Sequence, residues 1–341
     1  AASPGLVKAS EPGDPKFPEA FADKEGHITL EQAVSSALEN NPSLAARTSA
    51  VSAADARITQ AGLLPNPEIG IESENFGGSG ELDGFNAAES TVVVSQPILL
   101  GGKRRHRQAV AESEHALAGR DLEAMRLDVS ASTTSAFFRV LAAQQRVQLA
   151  VELQGLAEQF ARTVQARVDA GKVSPVEAKR ASIEVAQARV RLARATRGLQ
   201  AARALLASRW GSSEPDFDRA RGVLPKPAAP PTPTRTRQDL SETPEMMRLE
   251  DLVERQRRIV DLENSFKLPD LTVSLGPRRF EETGQSAWVI GISLPIPIFD
   301  RNQGSRLAAE FELERTRNDI QAVRIALETN LETTLERLRV A

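Results

Sequence analysis

The feature that most constrains the fold is an order of elements that occurs twice. Residues 29–105 predict a helix, two alternating strands and the start of a long helix, and residues 238–301 predict the same order again. In each copy the first helix leads into a proline-containing segment, Leu64-Pro65-Asn66-Pro67 in one and Leu268-Pro269-Asp270 in the other. A hairpin between helices, duplicated in tandem, predicts two structural repeats and only four strands in the chain.

Four strands cannot close a barrel, and an open sheet leaves backbone groups unpaired at its edges. In the last predicted strand, Trp288, Ile290 and Ile292 alternate with Gly291 and Ser293. This alternation fits a transmembrane barrel with its apolar residues outward, and it equally fits a soluble sheet with one solvated face. The long helices favour the barrel, and three chains with four strands each would form one of about twelve strands.

The longest proline-free stretch runs from Gly102 to Ala170, with Ala, Leu and Val at three- and four-residue spacing. A helix of that length would extend on the order of 100 Å, so neighbours of similar length must pack along it. Gly171 ends it, and Ser174-Pro175-Val176-Glu177 predicts the start of a return helix that runs to about Trp210. Ser174 is its predicted N-cap, with the Glu177 side chain capping back.

Composition excludes several classes of function. The 43 basic and 46 acidic residues leave a net charge of -3, so nucleic acid is a poor partner. The sequence has no Cys, which excludes disulfides, thiolate metal sites and a lipid-bearing cysteine in this sequence. No run of about 18 or more apolar residues is present, so we expect no transmembrane helix.

Chemistry-bearing motifs are absent as well. The three histidines, His27, His106 and His115, are not at ligand spacing from one another or from carboxylates. The sequence contains no recognisable Ser/His/Asp set, phosphate-binding loop or pair of catalytic carboxylates. We therefore predict no catalytic, cofactor-binding or metal site, and we expect that the protein is not an enzyme.

Three further motifs carry a family resemblance. These are Ser95-Gln96-Pro97-Ile98 before Gly101-Gly102-Lys103, the hairpin segment Gly171-Lys172-Val173-Ser174-Pro175-Val176-Glu177, and Asn66-Pro67-Glu68-Ile69 with Glu72-Ser73-Glu74-Asn75-Phe76. With the duplicated order, they resemble the TolC-like outer-membrane factors, the outer membrane efflux proteins of tripartite efflux systems. The last motif resembles the heavy-metal cation, CzcC-like branch.

The resemblance implies a mixed membrane α+β fold. A homotrimeric β-barrel would lie in outer-membrane lipid and continue into a long α-helical coiled-coil tunnel across the periplasm. It also implies docking to a periplasmic adaptor (a membrane fusion protein) and to an inner-membrane pump of the resistance-nodulation-division (RND) type. The expected function is a passive exit channel for heavy-metal cations. Two alternatives stay open: an outer-membrane factor for multidrug efflux or type I secretion, and a periplasmic coiled-coil adaptor or scaffold.

Three groups of residues are expected to carry this function. By resemblance, the prolines at the strand–helix joints mark the passage from barrel to tunnel, and the hairpin tip docks the adaptor, with Val173 exposed there. The acidic residues of the first strand share its non-lipid face and either favour cations or merely keep a water-filled wall wet. The joints are Pro65, Pro97, Pro269, Pro295 and Pro297; the tip is Arg167, Gly171, Lys172, Val173, Ser174, Pro175 and Glu177; the acidic stripe is Glu68, Glu72 and Glu74.

The chain therefore divides into four predicted segments. Residues 1–28 form an extended N-terminal arm, and residues 29–210 form the first repeat, with a β-hairpin at 66–97 and a helical-hairpin tip at 167–177. Within that repeat, Thr29 and Gln32 predict a capping box, and Pro42 predicts a break in the helix. Residues 211–237 are a proline-rich connector. Residues 238–341 form the second repeat, with a hairpin at 269–296 and without its second helical-hairpin tip.

Overall fold

A computed structural model describes residues 26–225 and 243–340. The chain forms two compact units. The described part of the first unit is residues 26–46 and 125–225, and that of the second is residues 47–124 and 243–340. The predicted arm up to residue 25 and the predicted connector from residue 226 lie outside the described residues.

The first helix, α1 (Leu30–Asn40), begins at the predicted capping box. The Thr29 hydroxyl accepts the Gln32 N–H at 3.3 Å, and the Gln32 side-chain oxygen accepts the Thr29 N–H at 2.8 Å. The expected break is also confirmed, because α1 ends at Asn40 and a second helix, α2 (Pro42–Ala61), starts at the proline. Proline suits the first turn of a helix, where its missing N–H has no intrahelical partner.

The predicted long helix is confirmed as α3 (Lys103–Asp169), 67 residues that extend about 100 Å at 1.5 Å per residue. The return helix α4 (Pro175–Ala207) is followed by a 3₁₀ turn that ends at Trp210. The core of the first unit collects where these helices meet two loop segments. It contains Ile28, Phe137, Leu206, Trp210 and Phe217, all 3% exposed or less.

Ile28 and Ala220, another residue of this core, belong to a short ladder that the sequence did not predict. Strand β1 (His27–Ile28) pairs in parallel with β4 (Arg219–Ala220). The Gln144 side chain hydrogen-bonds the backbone of β4. It accepts the Ala220 N–H at 2.8 Å and donates to the Ala220 carbonyl at 3.0 Å. The expectation of only four strands is therefore wrong by this pair of two-residue strands.

The second unit contains one four-stranded antiparallel sheet. Its strands are β2 (Glu68–Glu74), β3 (Glu89–Ile98), β5 (Leu271–Phe280) and β6 (Ser286–Ser293). They lie side by side in that order, so β3 and β5 join the two hairpins and β2 and β6 are the edges. The hairpins occupy the regions that the alternation predicted.

Helices α5 (Pro244–Ser265) and α6 (Gln303–Val340) flank the second hairpin and pack against each other. The Asn302 side chain donates to the Glu263 carboxylate at 2.7 Å, and Arg306 donates to Asn264 at 2.8 Å. The second predicted copy ends with a helix start at Asp300-Arg301, and helix α6 begins two residues later, at Gln303. The reason is local, because Asn302 has a left-handed φ of 57° and its N–H donates to the Asp300 carboxylate at 2.9 Å.

Three ion pairs join α3 to α5 within the second unit. Each links an arginine to a carboxylate on the other helix at 3.2 Å or less, and in all of them both side chains are about one-third exposed. The pairs are Arg120–Asp251, Arg248–Asp121 and Arg255–Glu114. They join the N-terminal part of α3 to the helix that precedes the second hairpin.

Candidate functional site

The four-stranded sheet has one apolar face and one polar face. The register aligns Ile69, Val94, Leu275 and Ile290 in one row across all four strands. These side chains are 74, 49, 51 and 72% exposed, although they form a continuous apolar surface. A soluble monomer rarely exposes a patch of this kind, so the face needs lipid or protein against it.

The neighbouring row lies on the opposite face and consists of Glu68, Ser95, Ser274 and Gly291. Successive residues of a strand point to opposite faces, so Glu72 and Glu74 share this face with Glu68, as the alternation predicted. One face of the sheet is therefore mainly apolar and the other mainly polar, so the two faces suit two different environments.

The polar face is not uniformly acidic, and here the predicted stripe needs correction. Arg278 on β5 donates to the Glu74 carboxylate at 3.0 Å, to the Glu89 carboxylate at 2.8 Å and to the Thr91 hydroxyl at 2.8 Å. Arg278 and Glu89 were not among the residues expected on this face. The signal was available, since Arg278 alternates with Thr272, Ser274 and Gly276 on the polar side of its strand.

At the first strand–helix joint, the prolines are held by side-chain contacts. The Gln96 side chain donates to the carbonyls of Pro65 and Pro97, each at 3.0 Å. Its role at the joint predicted that Pro97 would end its strand. Strand β3 instead continues one residue farther, to Ile98. Pairing with β2 stops at Ser95, while pairing with β5 continues through Pro97 and Ile98 because only one edge of the strand loses the donor.

Near Pro269 lies an ion pair whose lysine is buried and whose carboxylate is about one-third exposed. The Lys103 ammonium lies 2.6 Å from the Asp270 carboxylate and 5.3 Å from the centre of the Phe266 ring.

At the second joint, an open apolar depression of about 540 Å³ includes the remaining predicted prolines in its wall. It is lined by Phe266, Pro269, Pro295, Ile296, Pro297, Ile298, Phe299, Asp300 and Asn302.

At the tip of the helical hairpin, Gly171 adopts a left-handed φ of 71° that favours glycine, and the Lys172 N–H closes α3 by donating to the Arg167 carbonyl at 2.9 Å. The Ser174 hydroxyl accepts the Val176 N–H at 3.3 Å, which confirms the predicted N-cap. Glu177 was predicted to cap the start of α4. Its carboxylate instead accepts a hydrogen bond from Arg180 at 2.9 Å.

Exposure at the tip also differs from the expectation. Val173 is half-buried, whereas Val176 on the first turn of α4 is 54% exposed. Because the turn folds Val173 inward, the exposed apolar side chain at this end of the hairpin is Val176. The neighbouring Lys172 and Pro175 are exposed.

Farther along the hairpin, one carboxylate joins the two helices. Glu158 on α3 accepts hydrogen bonds from Gln154 at 3.1 Å and from Arg189 on α4 at 3.3 Å. Hydrogen bonds to the charged form stabilise it, so Gln154, and then Arg189, hold the pKa of Glu158 below its ordinary value.

Residues 26–225 and 243–340 are the part of the chain that the structure describes. Within those ranges no three His, Asp or Glu side chains come together in a way that could hold a metal ion. Among the described helices, none has both the length and the apolar character needed to cross a bilayer.

Comparison with known proteins agrees with this geometry. The family model described as outer membrane efflux protein matches residues 33–212. The cobalt-zinc-cadmium resistance protein CzcC of Cupriavidus metallidurans is 36% identical over 325 residues, which are 95% of this chain and 76% of CzcC. The nickel and cobalt resistance protein CnrC of the same organism is 29% identical, over 83% of this chain and 67% of CnrC.

A solved structure shares the fold. The CmeC outer membrane channel of Campylobacter jejuni superimposes with a TM-score of 0.69 at 17% identity, over 87% of this chain and 68% of CmeC. The fold is thus that of the TolC-like outer-membrane channels. The chain belongs to the outer membrane efflux protein family, and it is an efflux channel protein of the outer membrane that extends into the periplasm.

Proposed function

We propose that this protein is a homotrimeric exit duct that conducts heavy-metal cations passively from the periplasm to the exterior. The observation that carries the proposal is the two-faced sheet with an open edge on β2 and another on β6. Three copies joined edge to edge would remove every unpaired edge and form a barrel of about twelve strands. The apolar face would then contact lipid, and the polar face would line a water-filled lumen.

The helices extend this duct away from the membrane. With α3 about 100 Å long, its end at the hairpin tip would lie deep in the periplasm. We assign adaptor docking to the tip, Arg167 to Glu177, because it combines a charged Lys172 with the exposed apolar Val176. An inner-membrane pump of the RND type would supply the energy, so the duct itself needs no catalytic group. The five predicted prolines would mark the passage from barrel to tunnel.

Heavy-metal cations are the proposed substrate because CzcC, which is named for cobalt, zinc and cadmium resistance, matches over most of both chains. The polar face supports a cationic substrate, since Glu68 and Glu72 have no ion-pair partner among the described residues. A wide wall with such charges attracts cations without a specific pocket. The inner-membrane pump would determine which metal ions are exported.

Mass measurement in detergent tests the assembly, and three chains per particle are expected. A stable folded monomer, or a chain that stays in solution without detergent, would contradict the barrel and favour a periplasmic adaptor.

Metal tolerance tests the substrate. A strain that lacks its outer-membrane efflux factor should regain tolerance to cobalt, zinc or cadmium when this chain is expressed with a matching adaptor and pump. Restored tolerance to dyes or detergents alone would indicate multidrug efflux instead.

A further inference from the structure

Two carboxylates face each other at the loop end of the first hairpin. Glu74 and Glu89 are direct cross-strand partners in the register of β2 and β3. Like charges at such positions destabilise an antiparallel pair. Residues 68–98 contain no Lys or Arg, so the first hairpin cannot compensate the pair by itself.

The compensating cation comes from the second hairpin. The guanidinium of Arg278 uses three different nitrogens: Nη2 for Glu74 at 3.0 Å, Nη1 for Glu89 at 2.8 Å and Nε for Thr91 at 2.8 Å. Thr91 is 2% exposed and the Arg278 side chain 24%, so these contacts lie close against the sheet. Only the planar guanidinium fork matches three acceptors spread over two strands, and lysine would make fewer of these bonds.

The next residue, Arg279, provides an internal comparison. It lies on the opposite face of β5, is 56% exposed and pairs with Glu281 at 2.9 Å. The two arginines carry the same charge at adjacent positions but belong to different faces of the sheet. In the proposed barrel, Arg278 faces the lumen and Arg279 does not.

Distance separates the charges at the two ends of the polar face. A strand rises about 3.3 Å per residue, so Glu68 lies about 20 Å from Glu74 along β2. Salt at 0.1 M screens exposed charges over about 10 Å. The Glu74, Glu89 and Arg278 cluster therefore acts on ions independently of Glu68, and it contributes to the field at the loop end of the sheet.

We propose that Arg278 sets the ion preference of the outer mouth of the duct. By compensating the Glu74–Glu89 pair, it limits the negative charge where the loops meet the exterior, whereas Glu68, about 20 Å farther in, stays without a compensating cation among the described residues. A cation crossing the duct thus meets a less negative exit than it would without Arg278. The proposal rests on the proposed function, in which the polar face lines the lumen.

Reversal potentials of purified trimers in planar bilayers under a potassium chloride gradient test this role. Arg278→Gln should raise the cation-to-anion permeability ratio by roughly twofold, because one fixed charge per chain is removed from the lumen wall within a screening length of the passing ions. Arg279→Gln removes the same charge from the other face and should leave the ratio unchanged. Arg278→Lys keeps the charge and should stay near the wild-type ratio.

Glu74→Gln with Glu89→Gln tests the role from the opposite direction. This double variant leaves Arg278 uncompensated, so its permeability ratio should fall below that of the wild type, and it carries the test if Arg278→Gln fails to assemble. Conducting trimers of Arg278→Gln or of the double variant with an unchanged ratio would overturn the proposal, as would equal shifts in Arg278→Gln and Arg279→Gln. A wild-type protein that forms no conducting trimer would contradict the proposed duct instead.

Discussion

The ammonium group of Lys103 lies 2.6 Å from the carboxylate of Asp270, and the Lys103 side chain is only 6% exposed. The same carboxylate accepts the Leu100 N–H at 3.1 Å. The contact joins the first turn of α3 to the residue that precedes β5, across 167 positions of sequence. It anchors the start of the long helix to the second hairpin.

Lys103→Met should therefore destabilise the protein. The substitution leaves the Asp270 carboxylate in a largely covered position without its cation, at an expected loss of about 1–3 kcal/mol in the free energy of unfolding. Denaturant unfolding in detergent, followed by circular dichroism, measures the loss. Arg315→Gln is the control, because its pair with Glu312 is exposed and should contribute less than about 1 kcal/mol. Equal unfolding midpoints in both variants would contradict the anchoring role.

Gly276→Ala should disrupt the junction between the two hairpins. A Cβ on Gly276 would lie 1.8 Å from the Val92 carbonyl oxygen, which is backbone and cannot move without parting β3 from β5. The expected cost is at least about 2 kcal/mol, with less assembled protein in outer-membrane fractions. Gly291→Ala is the matched change, since its Cβ would meet only the Ser274 hydroxyl, which can rotate away. If both variants assemble equally well, the close approach of the strands is not required.

Val176→Asp should block adaptor binding if the tip is a docking surface. Val176 is 54% exposed, so the charge should have little effect on stability, whereas an apolar contact at the centre of an interface would be lost. Adaptor pull-down and metal tolerance should both fall, with trimer levels unchanged. Val223→Asp makes the same change at a residue that is 87% exposed and outside the hairpin, and it should behave as the wild type. Normal pull-down with Val176→Asp would show that the tip is only a turn.

Acidification should loosen the helical hairpin at Glu158. Its pKa is lowered in the folded protein, first by Gln154 and then by Arg189, so its stabilising contribution is complete above the ordinary Glu value of 4.5 and is lost as the pH falls through the lowered folded pKa. The protection factors of amide hydrogens near Glu158 and Arg189, which account for the intrinsic pH dependence of exchange, should therefore fall on acidification more steeply in the wild type than in Glu158→Gln. Parallel pH profiles would exclude this carboxylate as the cause.

Much of the local structure could be predicted from the sequence. The capping box at Thr29, the break at Pro42, the long helix before Gly171 and the Ser174 cap each depend on residues a few positions apart. The alternation of Glu68 and its neighbours likewise indicated which side chains share a face. These features follow from backbone geometry and side-chain spacing, which a linear pattern records directly.

Contacts between distant segments were not predictable in the same way. Arg278 meets Glu89 across 189 positions, so no local pattern shows that the acidic face carries a cation. The ladder of β1 with β4 contains two residues on each side, too few to leave an alternation. At the tip, composition could not separate the half-buried Val173 from the exposed Val176. Sequence determined the elements and their faces because those depend on neighbours along the chain. The tertiary structure alone decided which charges and cores meet, because those depend on how distant segments pack.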